Sequence, residues 1–299
     1  MNGIPVMSAQ VERVLINAIT VDVEDYFQVS AFEPLIARAD WDRWPQRVQA
    51  NTERLLALFA EAGVRGTFFT LGWVGDRYPA LVRRIVAEGH ELGCHGYDHI
   101  RLSDQTPEQL RAELRRSKDV LEQAAGTSVI GFRAASFSIH GGNLWALAEI
   151  AAAGFRYSSS IYPVSHDHYG LPHAPRIPYR PREAPGLLEI PISTTRLWGR
   201  NLPAGGGGYF RLLPYPLSRA LLRRINRVEG CSANFYTHPW EYDPQQPRPA
   251  GMPLKTRFRH YVNQDRALGR LRRLLADFRW APVREAYACA LGQDAGVQP

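Results

Sequence analysis

Cysteine and lysine are the residues that this chain of 299 amino acids nearly does without. Its three cysteines, Cys94, Cys231 and Cys289, are odd in number and show no CxxC spacing. That excludes a disulfide framework and a thiolate zinc knuckle, and buried thiols in a reducing compartment are the expected form. Lys118 and Lys255 are the only lysines, so arginine supplies nearly all of the 36 basic side chains and the net charge of +7. Those arginines are scattered through helical stretches. They make no long basic run and no recognisable nucleic-acid motif, which argues against a nucleic-acid partner. No stretch approaches the roughly 18 consecutive apolar residues of a membrane span. The first fourteen residues lack the basic-then-apolar pattern of a secretory signal. A cytoplasmic protein is the expectation, and attraction to an anionic polymer or membrane face stays open.

What is present is globular: 45% hydrophobic and 22% charged residues, enough to bury a sizeable core. The pattern alternates strand and helix. Apolar, β-branched runs predict strands over 14–23, 66–70, 90–94, 129–133, 187–192 and 231–236. Between them, helical periodicity predicts helices over 51–63, from Pro79 to Gly89, over 106–126 with a Thr106–Gln109 capping box, over 143–153, near 216–229 and near 265–278. Repeated β–α units predict a parallel sheet with helices outside, closed or nearly closed into a barrel. The residues after 243 are too few for an independent domain. We expect one domain over 1–299: a barrel of about 14–243 and a C-terminal helical extension, 244–299, packed on it.

In a parallel barrel, functional groups gather at the C-terminal ends of the strands. Four of the six predicted strands end in ionisable residues. The first ends in Asp22, Val23, Glu24 and Asp25. The third ends in Cys94 and His95, with His99 four residues on. The fourth ends in Arg133, and the last in Thr237 and His238. Two neutral imidazoles and a carboxylate make a three-ligand site for zinc or a similar divalent ion, leaving room for water. Such an ion lowers the pKa of water and polarises a carbonyl. A second carboxylate accepts a proton, a histidine donates one, and an arginine orients the base. That set of parts suits hydrolysis of an amide or ester.

Five stretches in order, "TVDVEDYFQVSAFE", "HELGCHGYDH", "GFRAASFSI", "GGGGYFRLLPY" and "NFYTHPWEYDP", resemble the polysaccharide deacetylases of carbohydrate esterase family 4, the NodB-homology fold. Within that family the chain most resembles the subgroup linked to exopolysaccharide and exosortase (PEP-CTERM) loci, and the residues beyond 244 resemble that subgroup's tail. The resemblance implies a distorted (β/α) barrel of NodB-homology type. It implies Asp22 as general base, His95 and His99 as the metal-binding pair, Arg133 as the arginine that tunes the base, and His238 as general acid. The metal carboxylate is Glu24 if the strand continues, since Glu24 shares a face with Asp22, or Asp25 if the strand ends at Val23. The ion implied is divalent, zinc first. The substrate implied is an acetylated polysaccharide or a lipid-linked oligosaccharide, met at the inner face of the membrane, with peripheral contact to membrane-bound polysaccharide assembly proteins. Two positions depart from the family pattern: Ala135 replaces a proline after Arg133, and Ser158 stands where an aspartate is expected. A glycan-binding protein without catalysis and a metal-independent amide hydrolase are the rival readings.

Among the remaining candidates, Tyr209 and Trp240 are expected to face the sugar. Gly205–Gly208 reads as a flexible substrate-facing loop, since no P-loop lysine follows it. His90 reads as structural, and His140, His166, His168 and His173 as solvated.

Overall fold

The computed structural model describes residues 15–166 and 169–292. His168 and the start of the first predicted strand lie outside them. Ten strands occur among the described residues: β1 (Asn17–Val23), β2 (Thr67–Thr70), β3 (Glu91–Cys94), β4 (Gly131–Phe132), β5 (Tyr157–Ser158), β6 (Leu188–Glu189), β7 (Thr194–Leu197), β8 (Arg200–Pro203), β9 (Asn234–Thr237) and β10 (Trp280–Ala281). Eight form one sheet in the order β10-β1-β2-β3-β4-β5-β6, with β9 also paired to β1. Every pairing in this sheet is parallel. β7 and β8 form a separate antiparallel hairpin. Helices fill the crossovers, including Val48–Glu61, Pro79–Ala87, Pro107–Ala125, Trp145–Ala152 and Tyr215–Arg227. The architecture is an α/β distorted barrel.

All seven residues of β1 are buried, which explains its unbroken apolar and β-branched run. It is the hub: Thr20–Val23 register with Thr67–Thr70 of β2, and Ala18–Val21 with Asn234–Thr237 of β9. The longest helix follows its sequence signals. Thr106 Oγ1 accepts from Gln109 N–H, the Gln109 side chain accepts from Thr106 N–H, and Gly126 ends the helix in the left-handed region at φ 68°.

The residues after 243 do more than cover the barrel. They form the helices Leu254–Tyr261 and Gln264–Asp277, then contribute β10 beside β1. Val283, Tyr287 and Leu291 next pack with Ala18, Phe69, Tyr157, Leu188 and Ile190 in one buried cluster. Glu91 ties this end down by accepting from Thr67 Oγ1 (2.6 Å), Tyr157 Oη (3.0 Å) and Arg284 N–H (3.0 Å).

Among the described residues no strand pairing joins β6 to β9, and Asn234 bridges the gap. Asn234 Nδ2 donates to the carbonyls of Ile190 (3.1 Å) and Pro191 (3.2 Å) and to Ser159 Oγ (2.9 Å). Its backbone exchanges bonds with Ser193. Replacing Asn234 by alanine removes this donor from the carbonyls of Ile190 and Pro191 at a buried seam. We expect N234A to lower stability by about 2–3 kcal/mol in urea denaturation. A change within a few tenths would show that the seam closes without it.

Candidate active site

The ionisable residues that end four strands converge on one cleft of about 620 Å³, lined by Asp22, Glu24, His95, His99, Tyr209, Tyr236, His238 and Trp240 among others. Each is set there by the strand before it. Asp22 lies in β1 and Glu24 follows it two residues on, on the same face. His95 follows β3. His99 returns beside it because the intervening loop takes two left-handed turns, at Gly96 (φ 79°) and at His99 itself (φ 53°). The imidazole rings then stand 5.4 Å apart. The spacing of four is therefore a loop geometry, not a helical face.

Glu24, His95 and His99 are all buried, and each offers a ligand atom within 4.8 Å of the other two. Glu24 Oε2 lies 2.9 Å from His99 Nε2 and 3.7 Å from His95 Nε2. It is a buried oxygen without a hydrogen-bond partner, an arrangement that costs free energy unless something cationic shares it. His95 Nδ1 faces the Arg133 carbonyl at 2.8 Å. A carbonyl only accepts, so Nδ1 carries the proton and Nε2 presents its lone pair to the cluster. Burial acts to raise the Glu24 carboxyl, but the nearby imidazoles of His99 and His95 hold it well below its usual range. These donors fit a divalent cation of the zinc type.

Asp25 does not join them, so the alternative in which it turns inward is corrected. Its Oδ1 accepts from Tyr26 N–H, and its Oδ2 from the N–H groups of Arg47 (2.6 Å) and Val48 (2.8 Å). The carboxylate thus caps the helix Val48–Glu61 from across the fold. Burial pushes its pKa up to about 6 against those three donors.

Arg133 is fully buried. Nη1 donates to Asp22 Oδ1 (2.6 Å) and Thr20 Oγ1 (2.7 Å), Nε to the Ser159 carbonyl (3.0 Å), and Nη2 to Ser159 Oγ (2.8 Å). The guanidinium lies 4.2 Å from the centre of the Phe69 ring. Ser159, not the Ser158 singled out from the sequence, braces the arginine. Ser158 Oγ donates to Ser160 Oγ instead.

His238 follows β9. Its Nε2 lies 3.7 Å from Asp22 Oδ2 and 3.6 Å from Glu24 Oε1. Nδ1 donates to Glu241 Oε1 at 2.7 Å, since a carboxylate only accepts. Burial acts to lower the imidazole's pKa. The hydrogen bond to Glu241 and the charges of Glu24, Glu241 and Asp22 outweigh it and push the value up to about 9. Glu241 itself is driven down to about 2: burial acts to raise it, and Arg211 with His238 overrides that. Arg211 Nε donates to Glu241 Oε2 (2.7 Å), while its other nitrogens donate to the carbonyls of Arg259, His260 and Val262. Neither Glu241 nor Arg211 was named from the sequence. Glu241 had a signal: it stands three residues after His238, in a turn opened by Pro239. Arg211 had none.

Trp240 lines the cleft but is not a sugar platform. One face of its indole stacks on His238 (5.0 Å) and the other on His260 (4.3 Å), and its N–H donates to Glu24 Oε1 at 3.2 Å. It braces the carboxylate. Tyr209 borders the cleft and is half-buried. Gly205–Gly207 are buried rather than a flexible loop. A Cβ at Gly206 would stand 2.0 Å from the Tyr236 carbonyl oxygen, and one at Gly207 would stand 2.2 Å from the Tyr236 hydroxyl. The run is glycine because it crosses β9 at contact distance. His90 is structural as expected, accepting from Gly66 N–H. His140 and His173 are exposed, whereas His166 is half-buried and stacked on Tyr169. Cys94 is buried, with burial pushing its thiol up to about 12, which makes it inert. The expectation of buried thiols fails for Cys231, which is half-buried, and for Cys289, which is exposed.

Residues 40–157, which hold His95, His99 and Arg133, match the polysaccharide deacetylase family model. Residues 159–288, which hold His238 and Glu241, match a domain of unknown function, DUF3473. A peptidoglycan-N-acetylglucosamine deacetylase of Bacillus cereus is 32% identical over 75 residues, 25% of this chain and 27% of that protein. A chitooligosaccharide deacetylase of Azorhizobium caulinodans is 29% identical over 79 residues, 26% of this chain and 38% of that protein. The chain thus matches well under half the length of either relative. In fold it resembles the crystal structure of a Mycobacterium smegmatis protein provisionally named a polysaccharide deacetylase, with a TM-score of 0.60, 21% identity, and coverage of 98% of this chain and 96% of that one. No helix of the described residues is long and apolar enough to cross a membrane. Over residues 40–157 the chain is thus similar to the polysaccharide deacetylase family, and its barrel shares the fold of that solved structure.

Proposed function

We propose that this protein is a metal-dependent N-deacetylase acting on N-acetylated sugars of an extracellular polysaccharide or of its lipid-linked precursor. One observation carries the reading. Two carboxylates, two imidazoles whose Nε2 atoms face Glu24 and a third imidazole held by a carboxylate share one cleft, in a chain whose residues 40–157 match the polysaccharide deacetylase family model. We read residues 1–299 as one catalytic domain, because the acid side of the cleft comes from the second matched segment. We place it on the cytoplasmic side, at the inner face of the membrane, in contact with polysaccharide assembly proteins.

Glu24, His95 and His99 would hold the cation, zinc first. When bound, it supplies Lewis acidity and a lowered pKa for water. The chain's own groups do the rest. Asp22 takes a proton from the water that attacks the acetyl carbonyl carbon. Arg133 fixes Oδ1 of Asp22 and leaves Oδ2 facing the cleft. His238 gives a proton from Nε2 to the leaving nitrogen as the C–N bond breaks, releasing acetate and an amine. Glu241 holds the ring so that Nε2, not Nδ1, faces the cleft. Trp240 and His260 wall the ring on its other side. Tyr209 stands where a sugar would lie.

The test is acetate release from N-acetylglucosamine oligomers, with metal content measured on the same sample. We expect about one metal ion per chain, lost in H95A and H99A, and turnover abolished by chelation. D22N should retain the metal and lose activity by about 10²–10⁴-fold. Tight glycan binding without acetate release under any added metal would favour a binding protein. Full activity in a metal-free sample would favour a metal-independent hydrolase.

The buried Glu241 makes a second prediction, in stability. Its pKa is depressed in the fold, so its contribution is complete above the unfolded value near 4.5 and is lost as pH falls toward 2. Acid unfolding followed by circular dichroism should show about 2–3 kcal/mol less pH dependence in that window for E241Q than for the native chain. Identical acid transitions would show that Glu241 is not held as described.

A further inference from the structure

We propose that the lip of the catalytic cleft docks on an anionic lipid surface, so that the site meets its substrate at a membrane. The proposal deepens the deacetylase reading and rests on it for the substrate, though not for the docking itself.

The cleft mouth has a composition that a soluble glycan does not call for. Leu35, Leu212 and Phe258 line the cleft, and all three are exposed, Phe258 at 59%. Pro34 and Pro253 continue the same apolar lining. Leu254, 81% exposed, precedes Phe258 by four residues on the helix Leu254–Tyr261, so the two share a face. His260 is the helix's one buried residue. Sugars are held by hydrogen-bonding groups and by aromatic faces. The aliphatic side chains Leu35, Leu212 and Leu254, facing water at the mouth of the cleft, provide neither, and grouped exposed apolar residues mark interaction sites.

The charge of the segment that carries Leu254 and Phe258 is of one sign. Between Asp243 and Asp265 the chain has no acidic residue and four basic ones, Arg248, Lys255, Arg257 and Arg259, all exposed. Three of the four lie on the helix that carries Leu254 and Phe258. Apolar side chains set among cations complement an anionic bilayer: the former enter the acyl boundary and the latter meet the headgroups. An acidic protein partner would match the cations but leave Leu254 and Phe258 without a specific seat.

Sedimentation of the full chain with vesicles tests this directly. We expect binding to phosphatidylcholine vesicles containing phosphatidylglycerol, and at least about tenfold weaker binding to phosphatidylcholine alone. Raising the salt should weaken the binding as well. L254S and R257E should each weaken binding about tenfold. Neither residue lines the cleft, so both variants should keep the native circular dichroism spectrum and release acetate from soluble oligomers at the native rate. No binding to the anionic vesicles, or native binding by both variants, overturns the proposal. The vesicle assay reads no turnover, so its failure leaves the deacetylase reading intact, and loss of that reading leaves the docking result standing.

Discussion

A guanidinium with no exposure to water is costly to bury, and the fold around Arg133 is arranged so that each of its nitrogens has an acceptor. Those acceptors lie on β1 and just beyond β5, while the arginine itself follows β4. One side chain therefore ties three strands together across the barrel interior. It also links the two halves of the proposed chemistry. Its side chain fixes Asp22, and its backbone carbonyl accepts a hydrogen bond from His95 Nδ1–H. A misplaced Arg133 would release the base and turn a cation ligand at once. Lysine could not substitute, because its single ammonium cannot reach β1 and Ser159 in one plane.

The acid side of the cleft is built by a different part of the chain, and by contacts of the same kind. Arg211, also buried, holds Glu241 and three carbonyls around the end of the helix Leu254–Tyr261. Glu241 holds His238, and His260 and His238 enclose Trp240, whose N–H returns to Glu24. The segment matching a domain of unknown function is thus wired through hydrogen bonds to a residue at the end of β1. This continuity is the physical reason to treat the two matched segments as one working unit. The proposed cation ligands come from one of them and its preceding strand, and the proposed acid comes from the other.

Periodicity made the barrel legible. The strand and helix runs from β1 to the helix Gln264–Asp277 fall where alternation and the 3.6-residue repeat put them, because burial on both faces of a parallel sheet leaves an unmistakable apolar run. The pieces that escaped are the hairpin of β7 and β8 and elements that are short or held by distant partners. β5 and β10 have two residues each and exist only through pairing with neighbours. The helix Val48–Glu61 begins before its expected start at 51, since the cap that sets it is Asp25, more than twenty residues earlier. At the site, residue type and position at strand ends were enough to single out Asp22, His95, His99 and His238, which line one cleft, and Arg133, which bonds to Asp22. They were not enough to say what each face of Trp240 touches or which serine braces Arg133. Those are facts of packing, and no local pattern encodes them.

The acidic run after β1 shows how packing assigns different tasks to neighbouring carboxylates. Asp22, Glu24 and Asp25 lie within four positions, and all three are buried. Alternation sends Asp22 and Glu24 to one side of the strand. There Asp22 meets a guanidinium and Glu24 meets imidazoles, so one carboxylate is fully engaged through Oδ1 and the other keeps an oxygen unpartnered. Asp25, one residue further, meets backbone N–H groups at a helix start and is consumed in holding the fold. Had the strand been one residue shorter, the side facing the cleft would have changed, and with it which of the three had an oxygen to spare. The pairing of β1 with β2 up to Val23 and with β9 up to Val21 therefore sets which carboxylates face the cleft, and with them the proposed cation ligand.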